Sequence, residues 1–421
     1  MKLDRTLFIL LAACFLIRLL FALRVPANDF FYPDGYDYSR VAVGIAEGRG
    51  FYPPEMKPIM AYRAPLYCFF LGGIYRVAGV KNLPAVRWIQ CLLAAATAWL
   101  LYGIGRNCGS RNAGLLAAAL FTSHPFFIYH PATIAAETLL TFCAVLTYYF
   151  LFKLFIHLRF RDALFGGATL GLAALTKGTV LLILPAAVLT LLLVSPGRRW
   201  RAWWLGVVLG TAALVTISPV TLWTFQRWHQ FSLILDGSGL NFYIANSDDS
   251  VRLFQAKTSE EFQAVQGHLW QKDLLVQDKQ IEALGPAERD AHYFRQGLPK
   301  FKENPARSLW LMTERLKIFW KPWVHPLAYG KKEVIISALV GVPLFFFGFW
   351  GVLQRMRRQQ PEAIFFLLAI LPITLVTGML FNTEIRFRIP LIDSLLIVFA
   401  ALSLTELLDR RRNPNPEVYI R

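Results

Sequence analysis

In the stretches PDGYDYSRVAVGI, AYRAPLY, AAETLL, ALTKGTV and NTEIRFRIP, acids and bases interrupt sequence that is otherwise largely apolar. They are Asp34 and Asp37, Arg63, Glu137, Lys177, and Glu384 with Arg386 and Arg388. An ionisable group beside hydrocarbon is costly, so those that stand away from a basic, headgroup-facing loop are candidates for function. Their types suit one chemistry. A carboxylate can take a proton from an attacking hydroxyl or amine, while fixed cations stabilise a phosphate that leaves. Arginine's planar fork matches phosphate oxygens, and low dielectric strengthens that match.

Local structure offers plainer explanations for the same residues. After Asp34, the residues Tyr38, Val41, Ala42 and Ile45 recur at helical spacing, so Asp34 can be an N-cap with Asp37 as its reciprocal acid. A carboxylate pinned there can still face a pocket. Glu137 opens a long apolar run, where the helix dipole favours a negative charge by ~0.3 to 1 kcal/mol. That gain is smaller than the few kcal/mol an acid costs near hydrocarbon. Arg63, Lys177, Arg386 and Arg388 can each snorkel to headgroups. Arg18, inside the first apolar run, reads as a buried partner of a neighbouring carbonyl or acid.

The elements that carry these residues are membrane helices. The chain has 421 residues, of which 56% are hydrophobic and 14% aromatic, with a mean hydropathy of +0.44. This is too apolar for one soluble core. About ten runs approach the ~20 residues that cross a bilayer as a helix. They lie at 7–24, 84–105, 113–130, 136–156, 163–176, 179–194, 202–222, 333–353, 362–380 and 389–408; the short fifth can pair with the sixth as a re-entrant element. The expected fold is an all-α polytopic membrane protein with interfacial helices in its first outer loop and a small mixed outer domain.

Orientation follows from the basic loops. With the N-terminus inside, Lys2 and Arg5, Arg106 and Arg111, Arg159 and Arg161, Arg198 to Arg201, Arg355 to Arg358 and Arg410 to Arg412 all fall on the inner side. The first run reads as an uncleaved signal anchor. Residues 64–80 are apolar, but a crossing there would turn every later basic loop outward, so they are read as lying in the outer interface. The chain then divides into a transmembrane module, 1–222, which includes a first outer loop, 25–83; an outer domain, 223–332; and C-terminal helices with a basic tail, 333–421. All the charged groups named at the start reach the same outer level.

That topology also gives the net charge of +17 its meaning. Much of the excess sits beside inner helix ends, where anionic headgroups attract it, so nucleic acid is not the expected partner. The outer segments hold no zinc-ligand spacing, phosphate loop, dinucleotide glycine pattern or nucleophile elbow. Three of the five cysteines lie in apolar runs and only Cys68 is near the outer face, which implies no structural disulfide. The outer domain opens with ILDGSGLNFYIANSDDS, including a strand-like NFYIA, followed by helical patterns at 259–284, 286–297 and 304–321. Within it Asp290 and Arg315 read as solvated helix-face residues, and no acid of this domain is expected in a site.

The motifs PDGYDYSRVAVGIAEGRGF, YRAPLY, GLLAAALFTSHPFFIYHPATIAAETLL, GLAALTKGTVLL and EIRFRIPLIDSLLI, in this order, resemble the GT-C glycosyltransferases of the protein mannosyltransferase and aminoarabinose transferase type, glycosyltransferase family 39. The resemblance covers most of the spanning region and least of the outer domain. It implies a polyprenyl-phosphate sugar donor, membrane lipid around it, a glycan, lipid or protein acceptor, and a site on the extracytoplasmic face of a bacterial inner membrane. By the family's first-loop pattern the essential acid is Asp34, with Tyr38 following. Arg63 matches a basic residue at the lipid phosphate, and Tyr67 ends the same motif. Glu137 matches a second outer acid and is counted with Asp34 as catalytic. Lys177 matches a lysine in LTKG, and Arg386 and Arg388 match a C-terminal arginine pair, both candidates for the donor phosphate.

Relatives carry a second acid after the first; here Gly35 stands in its place. No cofactor is required by this reading, and a divalent metal stays open. The implied reaction is one inverting displacement, with Asp34 as base and polyprenyl phosphate departing against Arg63 and Arg388. Two rivals remain. An O-antigen-ligase or polymerase type would not need the first-loop acid, and a flippase or transporter would place charges at the midplane and show internal repeats, of which none is visible.

Overall fold

The computed structural model describes residues 4–30, 33–53, 63–234, 237–271 and 284–412. Every expected apolar run is helical. Among the described residues, seven helices are long and apolar enough to cross a membrane: Arg5–Ala22, Leu83–Cys108, Glu137–His157, Pro196–Trp228, Lys331–Arg357, Pro361–Leu380 and Ile385–Arg411. The remaining runs are shorter. Arg111–Ser123 stops at His124, before Pro125, because the residue preceding a proline is pushed out of the helical region. Phe160–Ala174 ends just before Lys177, and Gly178–Leu182 makes a 3₁₀ turn into Ile183–Val194.

Small residues let these helices approach closely. A Cβ placed on Gly167 would stand 2.1 Å from the Leu209 carbonyl, so Phe160–Ala174 and the long helix Arg199–Trp228 touch backbone to backbone. That long helix runs past residue 222, where the outer domain was expected to begin. Contacts also join the expected inner segments to one another. Arg111 pairs with Asp4, Arg201 donates to the Leu158 carbonyl, and Arg358 pairs with Glu406. Arg18 is fully buried and donates to the carbonyls of Cys14, Phe121 and Thr122, so its partners are carbonyls and not an acid. All five cysteines are free.

The described residues of segment 25–83, the expected first outer loop, include two helices, Pro33–Ala46 and Pro65–Ala78. The second has 14 residues, short of a span, and buries Tyr67, Cys68, Leu71, Ile74 and Tyr75.

In the outer domain the expected strand is absent. NFYIA lies in the helix Ser238–Ala245, with Leu240 and Ile244 buried one turn apart against Tyr293 and Leu269. The run has β-forming residues, but burial at i and i+4 overrides that propensity. Helices follow at Asp248–Gln255, Ser259–Gln271, Pro286–Glu303 and Pro305–Trp320; the later part of the 259–284 expectation lies outside the described residues.

Two residues read as solvated helix-face residues are engaged in the fold. The Asp290 carboxylate accepts from the Gly239 N–H at 2.6 Å and the Ser238 hydroxyl at 2.8 Å, capping the NFYIA helix from a neighbouring one. Arg315 is 1% exposed and donates to the carbonyls of Met379, at 2.7 Å, and Ala245. It ties the outer domain to the C-terminal helices, and burial lowers its pKa to about 10.

Candidate active site

Five separated parts of the chain meet in one cleft. Its lining includes Asp34, Tyr38 and Arg63 from segment 25–83, Glu137 from the start of Glu137–His157, Lys177 from just beyond Phe160–Ala174, Ser238 and Asn241 from segment 223–332, and Thr377, Asn382, Arg386 and Phe387 from the stretch before the last helix. The cleft holds about 1120 Å³ of atom-free space, part of it open to solvent.

Asp34 lies in the first turn of Pro33–Ala46, one residue inside the helix and not at its cap. The loop before it is anchored by Arg87, a buried arginine of Leu83–Cys108. Its guanidinium donates to the carbonyls of Ala132 at 2.9 Å, Pro26 at 3.0 Å and Asp29. Nearby, Gln90 donates to the carbonyls of Pro131 and Thr133 and accepts from the Tyr67 hydroxyl at 2.9 Å. Tyr67 stands edge-on to Tyr38 with ring centroids 4.9 Å apart. Tyr67 is therefore behind the cleft wall and supports Tyr38, which does line it. Burial raises the pKa of both phenols, so they stay protonated hydrogen-bonding groups. Arg87 and Gln90 escaped the sequence reading. The signal was present in Arg87, an arginine inside an apolar run exactly as Arg18 is.

Arg63 precedes the Pro65–Ala78 helix and is fixed by its own backbone. Its N–H donates to the Tyr52 hydroxyl at 2.5 Å, and Tyr52 packs on Phe51, with centroids 4.6 Å apart. The Arg63 Nη2 lies 3.0 Å from Asp34 Oδ1 and 2.7 Å from Asp37 Oδ2. Asp37 is thus an ion-pair partner rather than a reciprocal cap.

Arg386 sits in the short helix Ile385–Arg388, between two π-helical turns, Thr374–Leu380 and Ile389–Asp393. Pro390 lies in the second of these turns, where the N–H it lacks favours a locally widened helix, and Pro372 lies in the last turn of the helix that precedes the first. Arg386 Nη1 is 3.2 Å from Asp34 Oδ2 and 3.6 Å from Glu137 Oε1, while its Nε is 2.8 Å from Glu384 Oε2. Lys177 places its Nζ 3.1 Å from the centroid of the Phe387 ring.

Both oxygens of Asp34 are therefore paired with arginine. Burial pushes its pKa up, but Arg63, Arg386 and Lys177 outweigh it, and the carboxyl is held below its ordinary value. Arg63 responds in the opposite sense. Burial alone would lower it, and Asp34, Tyr38 and Asp37 raise it above the usual guanidinium value.

Arg388 is not brought to the cleft. It is 1% exposed, donates to Asp393 through Nε at 2.8 Å and Nη2 at 3.0 Å, and gives Nη1 to the Phe319 and Lys321 carbonyls. These bonds brace the last turn and tie it to the end of Pro305–Trp320. Arg388→Met is expected to cost roughly 3–5 kcal/mol by leaving Asp393 buried and uncompensated. Adding Asp393→Leu should recover most of that loss in thermal unfolding of the purified chain. A double variant as unstable as the single one would contradict the pairing.

Gly35 explains why no second acid follows Asp34. A Cβ there would meet the Ile134 carbonyl at 2.8 Å and Phe30 Cβ at 3.1 Å, so the backbone has no room for a side chain. Asp34 and Glu137 share Arg386 between them, and a dication would have to displace that cation to use both. Among the described residues no group of three or more His, Cys, Asp or Glu is placed to hold a metal.

Comparison with known proteins agrees with this architecture. Residues 62–223 match the family described as dolichyl-phosphate-mannose-protein mannosyltransferase. No curated protein sequence matches the chain. Among solved structures, the oligosaccharyltransferase AglB from Archaeoglobus fulgidus, in complex with an inhibitory peptide and a dolichol-phosphate, is 16% identical with a TM-score of 0.60, covering 99% of this chain and 52% of that one. The apo form of the A. fulgidus oligosaccharyltransferase is 14% identical with a TM-score of 0.58, at 99% and 52% coverage. This chain thus spans about half the length of the oligosaccharyltransferase it matches. ArnT from Cupriavidus metallidurans bound to undecaprenyl phosphate is 12% identical, at 96% and 79% coverage, with a TM-score of 0.42 that is too low to identify a fold. In fold the chain is similar to the oligosaccharyltransferase AglB, and residues 62–223, which carry Arg63, Glu137 and Lys177, match the family described as dolichyl-phosphate-mannose-protein mannosyltransferase.

Proposed function

We propose that this chain is a membrane glycosyltransferase that moves a sugar from a polyprenyl-phosphate donor to an acceptor hydroxyl or amine at the extracytoplasmic face of a bacterial inner membrane. The observation that carries the reading is Asp34, held between Arg63 at 3.0 Å and Arg386 at 3.2 Å in a cleft that Lys177 also lines. A base and a phosphate-sized set of cations stand side by side.

In the resting cleft those cations occupy the base. A donor phosphate competes for the same guanidinium groups, while Asp37 and Glu384 keep Arg63 and Arg386 aimed. Asp34, released from its pairs, accepts the proton of the acceptor. The acceptor oxygen or nitrogen bonds to the anomeric carbon as the carbon–oxygen bond to phosphate breaks, and the electron pair leaves with the phosphate, stabilised by the arginines. Attack opposite the leaving group inverts the anomeric centre. Arg388, engaged elsewhere, acts by holding the last turn. Glu137 shares Arg386 and borders the sugar, and the outer domain, 223–332, contributes the wall nearest the acceptor.

Cells lacking the chain should accumulate one lipid-linked monosaccharide several-fold, measured by mass spectrometry of the polyprenyl-phosphate pool. Unchanged lipid-linked sugar and glycan pools would sink this reading in favour of a non-enzymatic role.

A further inference from the structure

Threonines in this protein's helices habitually satisfy themselves. Thr141, Thr147, Thr190, Thr216, Thr224, Thr313 and Thr405 each donate their hydroxyl to the carbonyl four residues back. Two threonines that line the cleft do not. The hydroxyls of Thr179 and Thr377 are buried and have no hydrogen-bond partner within the protein, and the same holds for the second carboxylate oxygen, Oε2, of Glu137. Thr138 and Thr383 also lack partners but lie outside the cleft lining.

The cause is local. Thr377 is in the π-helical turn Thr374–Leu380, and Thr179 in the 3₁₀ turn Gly178–Leu182, where the α-helical back-bond is not in register. Three other polar groups of the wall are already engaged. Thr176 donates to the Ala173 carbonyl, Ser238 to Asp290, and the Asn241 amide to the Gly237 carbonyl. Two hydroxyls, each able to donate and accept, and one carboxylate oxygen are thus buried in this lining without a partner.

We propose that Thr179, Thr377 and Glu137 Oε2 form the pocket that reads the hydroxyls of the donor's sugar ring. This rests on the glycosyltransferase reading, whose phosphate half uses a different set of residues. Hydroxyl partners for a hydroxylated ring satisfy groups that the fold leaves unpaired, and an analogue without the matching hydroxyl would leave them unpaired again.

The test is equilibrium binding to the purified full chain in lipid nanodiscs. The probes are undecaprenyl phosphate, bare and bearing mannose, glucose or arabinose. Wild type should bind bare lipid phosphate, and at least one sugar-bearing lipid about tenfold more tightly. In Thr179→Val/Thr377→Val that gain should fall to about twofold, with affinity for the bare lipid unchanged. Thr179→Ser/Thr377→Ser, which keeps both hydroxyls, should retain the gain. An undiminished gain in the valine variant overturns the pocket, as does a loss that extends equally to the bare lipid. Wild type that binds the bare lipid but no sugar-bearing lipid more tightly also overturns the pocket, while leaving the phosphate site standing. Wild type that binds none of these lipids removes the glycosyltransferase reading and the pocket with it.

Discussion

Membranes carrying Asp34→Asn are expected to transfer sugar about 10²–10⁴-fold more slowly than wild type, the range lost when a positioned base is removed. The substitution is isosteric, and neither arginine is stranded by it. Arg63 keeps Asp37 at 2.7 Å, and Arg386 keeps Glu384 at 2.8 Å, so the variant should insert and fold. Amount and melting temperature of the purified protein therefore serve as controls for the rate. Wild type should show a distinctive pH dependence. Because the folded carboxyl titrates below its ordinary value, the base form persists through the neutral range, and the acid limb of kcat/KM due to Asp34 falls below the usual carboxylate range. The stability this charge contributes is likewise present above the unfolded value and is lost as pH falls through the folded one. Full sugar transfer by Asp34→Asn at wild-type levels would remove the residue from the mechanism.

Much of the cleft was legible because charge beside hydrocarbon is conspicuous. Asp34, Arg63, Glu137, Lys177 and Arg386 each stood out singly in apolar sequence, and all of them line one cleft. Arg386 and Arg388 could not be told apart by the same argument. Two residues apart on one helical turn, they face nearly opposite ways, one toward Asp34 and the other toward Asp393. In the outer domain charges are ordinary, so nothing marked Arg315 as buried or Asp290 as a cap. Thr377 was invisible for another reason. A threonine in an apolar run usually bonds to its own helix, and only the π-helical turn makes its hydroxyl available. The helical content of every apolar run was readable from hydropathy. The difference between a full span and a half-length helix was less so, because Pro125 interrupts the run 113–130, which hydropathy alone treats as continuous.

Arg386→Gln is expected to be as damaging as loss of the base, for a different reason. This one guanidinium stands within 3.6 Å of Asp34, Glu137 and Glu384, and its side chain is only 13% exposed. In the proposed mechanism removing it takes away a cation that faces the leaving phosphate, a change that typically lowers kcat about 10²–10³-fold for a single charge-stabilising donor. It also leaves three carboxylates in one partly enclosed space with Arg63 and Lys177 as the remaining compensation. Like charges and burial both favour protonation, so Asp34 should titrate higher. The acid limb of any residual kcat/KM should then move upward relative to wild type, a readout that a merely unfolded variant would not give. Arg386→Lys should recover part of the rate, because a point charge can serve one or two of these acids but lacks the fork that reaches all three. A glutamine variant with wild-type transfer and an unmoved acid limb would show that Arg386 neither meets the phosphate nor sets the charge state of Asp34. If the rate falls and the limb moves together, one residue accounts for both, since the cation that stabilises the leaving group is also the one that keeps the resting base charged and occupied.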